Sequence, residues 1–429
     1  MLSPTALLWT AALPFALLIA FFLVVHGSRQ GSQPSRLVVL GLITLLTLSA
    51  LAYVFKAPRR LHPLVFWSGW TQAVQSTRAS WAQMEAKRQQ IQLFADQLQP
   101  KLDTKGKSTV VLVISDSVNR DNLGLYGYAR ATTPDLTSLK GQLGDNMLVL
   151  KNAWAVEAST LPALNKIFTL KAANGQDSDP AHIIAMAKAA GYKTWWISNH
   201  DDMAIEQQHA KLADVVEFEN RVPGRAGDSL DSAILDCVEE ALAEPTDRKF
   251  IIVHLLGAHP HYGLRYPGNK NPFLAGTDAV DIKLAQEGRS TWTRYMREEY
   301  DAAILYHDRV VSEIFKMTKA DAPERQGEYR AWMYLSDHGQ EVGHTKDFAG
   351  HSPNTAAGYR IPVVIWRNQD WPQKPELASS VFRSDWTSWT LADLLNLQWD
   401  GYRSSKNILS ANYEWQAPLL PIPVQSYTE

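Results

Sequence analysis

The chain has 429 residues, 45% of them hydrophobic, and its 42 basic and 44 acidic residues leave a net charge of −2 at pH 7. That apolar fraction supports a sizeable core and excludes a disordered chain, while near-balanced charge offers no basic footprint for nucleic acid. A single cysteine, Cys237, excludes an internal disulfide framework; it falls in a helix-like stretch, Leu230 to Leu242, and reads as a buried spectator.

Leu7 to Val25 and Leu37 to Phe55 carry no charge, and each is long enough to cross a hydrocarbon core of roughly 30 Å as a helix. No basic stretch precedes the first and no small-residue cleavage site follows it, so both read as anchors and neither as a cleaved leader. Residues 1–60 are therefore expected to form a two-helix membrane anchor. Arg29 and Arg36 between the spans, and Lys56, Arg59 and Arg60 after them, suit the cytoplasmic side equally, so charge leaves the orientation open. In residues 61–105, Trp67, Trp70 and Trp81 stand among Gln, Lys and Arg before a polar helical run from Met84. Such a segment reads as an interfacial helical linker, or as an amphipathic helix packed on the domain that follows.

From residue 106 onward, short β-branched runs alternate with helical patterns. Thr109 to Ser115, Met147 to Ala153, Lys193 to Ser198, Phe250 to Leu256, Ala331 to Ser336 and Pro362 to Trp366 read as buried strands. Pro180 to Ala190, Asp228 to Ala243 and Trp292 to Lys319 read as helices between them. The alternation predicts an α/β fold with a mainly parallel central sheet over residues 106–429, and ligands of such sheets bind at the carboxyl ends of the strands.

Polar residues follow several of those ends. Asp116 closes the first strand, and Asp337-His338 follows the fifth. Oxygen and imidazole donors of this kind suit zinc in an open catalytic site, although an aspartate after a strand also serves as a turn former or cap. After the second strand, Ser159-Thr160-Leu161-Pro162 marks the start of a helix. One of the two hydroxyls is either a plain cap or a metal-activated nucleophile at a helix terminus that favours phosphate. His254 lies inside an apolar run and reads as a satisfied core residue; His259 and His351 lie outside such runs and can neutralise phosphate oxygens or protonate a leaving group.

These residues belong to longer motifs. Asp116-Ser117-Val118-Asn119-Arg120, leading to Leu125-Tyr126-Gly127-Tyr128 and Thr132-Thr133-Pro134, resembles the opening motif of bacterial phosphoethanolamine transferases in the alkaline phosphatase and sulfatase superfamily. His254 to His259, Tyr300 to Tyr306, Ser336 to Gly339, and His351 ahead of Ile361 to Trp366 follow in the family's order, and the likeness is nearest to the branch that modifies lipopolysaccharide core or periplasmic glucans. The resemblance implies an alkaline-phosphatase-like domain at the bacterial inner membrane that faces the periplasm. It implies Asp116, Asp337 and His338 as zinc ligands and Thr160 as a nucleophile that also touches the metal, with Ser159 as the alternative. His259 and His351 would hold the phosphoryl group or a second zinc ion, and Asn199 would contact the donor headgroup. Phosphatidylethanolamine would be the donor, and lipopolysaccharide core, lipid A or glucan the acceptor. The Tyr300 to Tyr306 match reads as structural.

Three departures stand out. Lipid A modifying members present glutamate where this chain has Asp116, and they carry several disulfides and a larger membrane bundle. Sulfatases need cysteine or serine two residues before proline as the precursor of formylglycine, and threonine at position 160 cannot give that aldehyde. Phosphoryl transfer is therefore expected over sulfate ester hydrolysis. The same site releasing its intermediate to water, as a phosphodiesterase or phosphatase, is the alternative, and a non-catalytic binding module would require lost ligands, whereas Asp116, Thr160, Asp337 and His338 are all present.

Overall fold

The computed structural model describes residues 35–54, 63–170, 181–200, 203–220, 229–268, 270–274, 278–320, 325–369 and 376–428, together with residues 19, 23 and 26. The chain divides into two compact units, Met1–Glu85 and Ala86–Glu429.

In the first unit, helix α1 (Arg36–Val54) carries exposed apolar side chains, including Leu37, Leu40, Ile43 and Leu48. Among the described residues no helix is long and apolar enough to cross a membrane. The first expected span, Leu7 to Val25, lies outside those residues apart from Ile19 and Leu23, as does Phe55 at the end of the second. A continuous 36-residue helix, α2 (Pro63–Leu98), takes up most of the expected linker. Ile91 and Ala95, one helical turn apart, are buried in the core of the second unit, so the last turns of α2 pack as an amphipathic helix.

The second unit is built on a seven-stranded sheet. Its strands are β1 (Ser108–Ser115), β2 (Met147–Val149), β4 (Lys193–Ser198), β5 (Val215–Phe218), β6 (Arg248–Leu255), β7 (Tyr329–Ser336) and β8 (Val363–Arg367), in the order β2-β8-β7-β1-β6-β4-β5. β1 sits at the centre because all eight of its residues are buried, as a strand covered on both faces requires. Val110, Leu112 and Ile114 point into one core layer and Val111 and Val113 into the other.

The first layer packs against α4 (Thr160–Phe168), α5 (Ile183–Ala189) and α8 (Thr387–Leu394), and the second against α3 (Pro134–Leu143), α6 (Leu235–Ala243) and α7 (Thr291–Lys319). α4 buries Ala163, Leu164, Ile167 and Phe168, a spacing that makes one apolar stripe and leaves its N-terminus to face the strand ends.

The pairing is parallel except at β8, which runs antiparallel to both β7 and β2. The sheet is therefore mixed, with a single reversed strand; the apolar run Pro362 to Trp366 specified burial but not direction. Met147 to Ala153 is also not one strand. It breaks at exposed Lys151, and β3 (Asn152–Trp154) leaves the sheet to pair with β9 (Val381–Arg383). The short edge strand β5, half-buried throughout, carried too little apolar pattern to be foreseen. Of the expected helix from Asp228, a 3₁₀ turn at Asp231–Ile234 takes the first part and α6 the rest. Cys237 on α6 is half-buried, with its thiol donating to Glu219 Oε1 at 3.4 Å, and burial together with that carboxylate pushes it up to about 11, which leaves it unreactive.

α3 begins at Pro134, and Thr133 before it makes no side-chain cap. The cap comes from another helix: Asp308 on α7 accepts from the backbone N–H of Asp135 at 2.7 Å and of Leu136 at 3.1 Å. Asp308→Ala removes those acceptors from a buried helix terminus and is expected to lower stability by about 2 kcal/mol, read as a shift in the urea midpoint. An unchanged midpoint would show that water replaces the carboxylate there.

Candidate active site

Register brings the strand ends level. Ser115, the last residue of β1, pairs with Ser336 at the end of β7 and with Leu255 at the end of β6. Asp116 and Asp337 consequently emerge side by side, and both are fully buried, as is His338. The chain then turns sharply at Ser117, at φ +64°, where its N–H donates to Asp337 Oδ1 at 3.1 Å. Tyr300 on α7 braces this turn, its hydroxyl donating to Ser117 O at 2.7 Å and accepting from Asn119 N–H at 2.8 Å.

The turn after β6 is just as closely fitted. Gly257 has φ +57°, and a Cβ there would stand 2.7 Å from Asp116 O, so only glycine lets the two backbones meet. Asp231 holds that turn by accepting from Leu256 N–H at 2.9 Å and Gly257 N–H at 2.8 Å. His259 follows two residues later, itself buried.

Around Asp116 the functional groups converge. Thr160, the first residue of α4, directs its hydroxyl at Asp116 Oδ2 at 3.0 Å, with His338 Nε2 at 3.5 Å. Ser159 is exposed and makes no capping bond. His338 Nδ1 lies 2.8 Å from Gly339 O; a carbonyl only accepts, so Nδ1 carries the proton and Nε2 presents its lone pair to the cluster. From there Nε2 is 3.5 Å from Asp337 Oδ2 and 3.9 Å from Asp116 Oδ1. Ser117 Oγ donates to Asp116 Oδ1 at 2.5 Å and lies 3.2 Å from His351 Nε2.

Two ligand sets share the one carboxylate. Asp116, His200 and His259 bring one donor atom each within 4.8 Å of one another, and so do Asp116, His338 and His351. Asp337 Oδ2 is buried with no hydrogen-bonding partner among the described residues. An orphaned carboxylate oxygen, an imidazole oriented by a backbone carbonyl, and a mixed nitrogen and oxygen donor set all fit zinc.

Electrostatics separate the two acids. Burial alone would push Asp116 up, but His259, His200 and His338 more than offset it and hold the carboxyl well below its usual range. Asp337, raised by burial and by the neighbouring Asp116 despite His338, reaches about 7. Within the fold one acid is an anion and its neighbour holds a proton near neutrality, the arrangement expected of close carboxylates that await a cation.

Thr160, Asp116, Asp337, His338, His259 and His351 thus gather in one place. Asn199 does not join them. Fully buried, it donates to Asp231 Oδ1 at 3.0 Å and accepts from Ser229 Oγ at 2.6 Å, and so supports the turn after β6. Its neighbour His200, which sequence reasoning passed over, brings Nε2 to 3.2 Å from Asp116 Oδ2. A histidine directly beyond a strand was the available signal. His254 is buried as expected but not satisfied: it stacks on His200, its Nε2 has no partner among the described residues, and burial beside His200 lowers it to about 3, so it stays neutral.

A pH dependence follows. Asp337 ionises near 3.8 when unfolded and near 7 when folded, so its contribution to stability is full below about 3.8 and is lost as pH rises through 7. Zinc requires the carboxylate, so its gain in melting temperature is expected to grow from pH 5 to pH 8 in thermal scans with and without added metal. A gain that is flat across that range would remove Asp337 from the ligand set.

A family model described as Sulfatase matches residues 108–396. Phosphoethanolamine transferase EptC of Escherichia coli is 31% identical over 330 residues, which cover 71% of this chain and 54% of the relative. Phosphoethanolamine transferase CptA of Salmonella typhimurium is 31% identical over 322 residues with the same coverage. The chain thus spans about half the length of the curated relatives it matches. Among solved structures, the C-terminal periplasmic domain of EptC from Escherichia coli, in complex with zinc, matches with a TM-score of 0.66 at 28% identity, over 74% of this chain and 90% of that one. The integral membrane protein EptA from Neisseria meningitidis shares the fold, with a TM-score of 0.58 at 20% identity, over 87% of this chain and 71% of that one. From β1 to just beyond α8 the match covers every strand and helix that delivers a residue to Asp116, and the chain belongs to the Sulfatase family.

Proposed function

We propose that the chain is a phosphoethanolamine transferase of the bacterial inner membrane, with residues 1–60 as anchor, 61–105 as linker and 106–429 as a periplasmic catalytic domain. It would move phosphoethanolamine from phosphatidylethanolamine to lipopolysaccharide core, lipid A or periplasmic glucan, with Thr160 as nucleophile. The observation that carries this reading is the Thr160 hydroxyl, held 3.0 Å from Asp116 Oδ2 and 3.5 Å from His338 Nε2 at the start of α4. The similarity to EptC and CptA supports the transferred group, and the exposed apolar surface of α1 is in keeping with an anchor.

Zinc held by Asp116, Asp337, His338 and Thr160 would supply Lewis acidity, lowering the hydroxyl pKa and offsetting charge on the phosphoryl oxygens. The chain's own groups do the rest. Asp116, kept ionised by its three histidines, orients the Thr160 hydroxyl. Thr160 Oγ, its proton passed to solvent, forms a bond to phosphorus while the bond from phosphorus to the diacylglycerol oxygen breaks, and His259 or His351 protonates that leaving oxygen and is left neutral. In the second step that neutral histidine takes the proton of an acceptor hydroxyl, whose oxygen attacks the same phosphorus, and the Thr160 ester bond breaks, with a proton from solvent restoring the threonine hydroxyl. The N-terminus of α4 and the flanking imidazoles offset the negative charge of the phosphoryl group in both steps. His200, beside Asp116 and His259, completes the second ligand set and provides for a further zinc ion or a phosphoryl oxygen.

Incubation with phosphatidylethanolamine followed by mass spectrometry tests the nucleophile. Thr160→Ala is expected to abolish the covalent phosphoethanolamine adduct and to reduce turnover by on the order of 10³-fold or more, whereas Thr160→Ser keeps the adduct. An adduct on the alanine variant would overturn the assignment. His200→Ala is expected to slow adduct formation by about 10²-fold with the fold intact. Diacylglycerol release that is indifferent to every acceptor would mark a hydrolase instead.

A further inference from the structure

Helix α7 presents a second side chain to the strand ends. His307 lies seven residues beyond Tyr300, close to two full turns, and so occupies the same face of the helix as the tyrosine that braces the 116–119 turn. His307 is buried, and so are Ser115 and Asp231 on either side of its ring. Ser115 Oγ stands 2.5 Å from His307 Nε2, and Asp231 Oδ2 stands 3.6 Å from His307 Nδ1. An ionised carboxylate offers no proton, so Nδ1 carries the ring proton and Nε2 accepts from the Ser115 hydroxyl. Tyr334 on β7 brings its own hydroxyl to 3.4 Å from the same Nε2.

Acid, imidazole and hydroxyl in this order are the arrangement of a hydrolase triad, yet all three are shut away from solvent and no substrate can reach Ser115. Their effect is on position. Ser115 immediately precedes Asp116, and its carbonyl accepts from Asp337 N–H at 3.0 Å. Asp231 accepts from Gly257 N–H at 2.8 Å, two residues before His259, and from Asn199 Nδ2 at 3.0 Å, one residue before His200. Burial would push Asp231 up, but His307, Asn199 and the Gly257 N–H hold its carboxyl below the usual range. One imidazole therefore joins the residue before Asp116 to the supports of both His200 and His259.

The other ligand set is held by different groups. His338 is oriented by Gly339 O at 2.8 Å, and His351 Nε2 lies 3.2 Å from Ser117 Oγ. Neither contact passes through His307. The two sets meet at Asp116 but draw their histidines from separately supported turns.

We infer that His307 is a positioning residue that sets Asp116 against His200 and His259, and that it acts on metal held by that set and not on metal held by Asp116, His338 and His351. The inference rests on the zinc reading of the two sets and is independent of which group is transferred. Zinc titration of the full chain against a chromophoric chelator tests it in two backgrounds. His338→Ala leaves the His200 and His259 set to report, and His259→Ala leaves the other. His307→Leu is expected to weaken zinc by about tenfold in the first background and by less than about twofold in the second. His307→Gln, whose amide oxygen can accept from Ser115, is expected to recover most of that affinity. Ser115→Ala cuts the same link from its other end and is expected to repeat the pattern of His307→Leu, so the experiment stands even where the leucine variant fails to fold. Equal loss in both backgrounds would mark a general effect on the fold and overturn the inference, as would no loss in either. Absence of zinc from the unmutated chain would overturn the ligand sets themselves, a failure distinct from zinc that binds and ignores His307.

Discussion

Two buried carboxylates facing each other across the ends of β1 and β7 are the constraint around which the domain is organised. Neither Asp116 nor Asp337 is solvated, and leaving both ionised and unpaired would cost several kcal/mol per charge. The fold answers by placing His200, His259 and His338 about the first and by leaving a proton on the second. Such an arrangement suits a divalent cation, which would take the place of the proton on Asp337. Stability and chemistry therefore draw on the same few atoms.

Support for those atoms comes from elements distant in sequence. Tyr300 on α7 spans the 116–119 turn with two hydrogen bonds, which gives the helical Tyr300 to Tyr306 motif its structural role. Asp231 and Asn199 hold the turn after β6, where Gly257 lies against the Asp116 backbone. Gly339 is required for a similar reason, because a Cβ there would run into Ala357 O as the chain crosses on its way to β8. The groups that reach the cluster come from the segments after β1, β4, β6 and β7, the start of α4 and the loop before β8, so no single element can shift without disturbing its neighbours.

Asp116 belongs to both ligand sets, one reaching toward His200 and His259 and the other toward His338 and His351. Sharing a carboxylate brings the two halves of the site together around Asp116.

The sequence by itself determined most of the architecture, because buried strands and helices leave periodic signatures that survive without tertiary context. Lys193 to Ser198 was legible to the residue, and Asp116, Asp337 and His338 stood out because each follows a strand, whereas position alone left Ser159 and Thr160 at a helix start undivided and only the family resemblance singled out Thr160. Direction, register and long-range partnership were not. An apolar run is equally compatible with a parallel or an antiparallel neighbour, so the reversal of β8 and the departure of β3 were decided by packing. Asn199 and His200 are adjacent in the chain and equally polar, and only the turn after β6 decided that the first would brace Asp231 while the second reached Asp116. Side chains on consecutive residues beyond a strand point in different directions, and which one meets the site depends on what stands opposite, which a one-dimensional pattern does not contain.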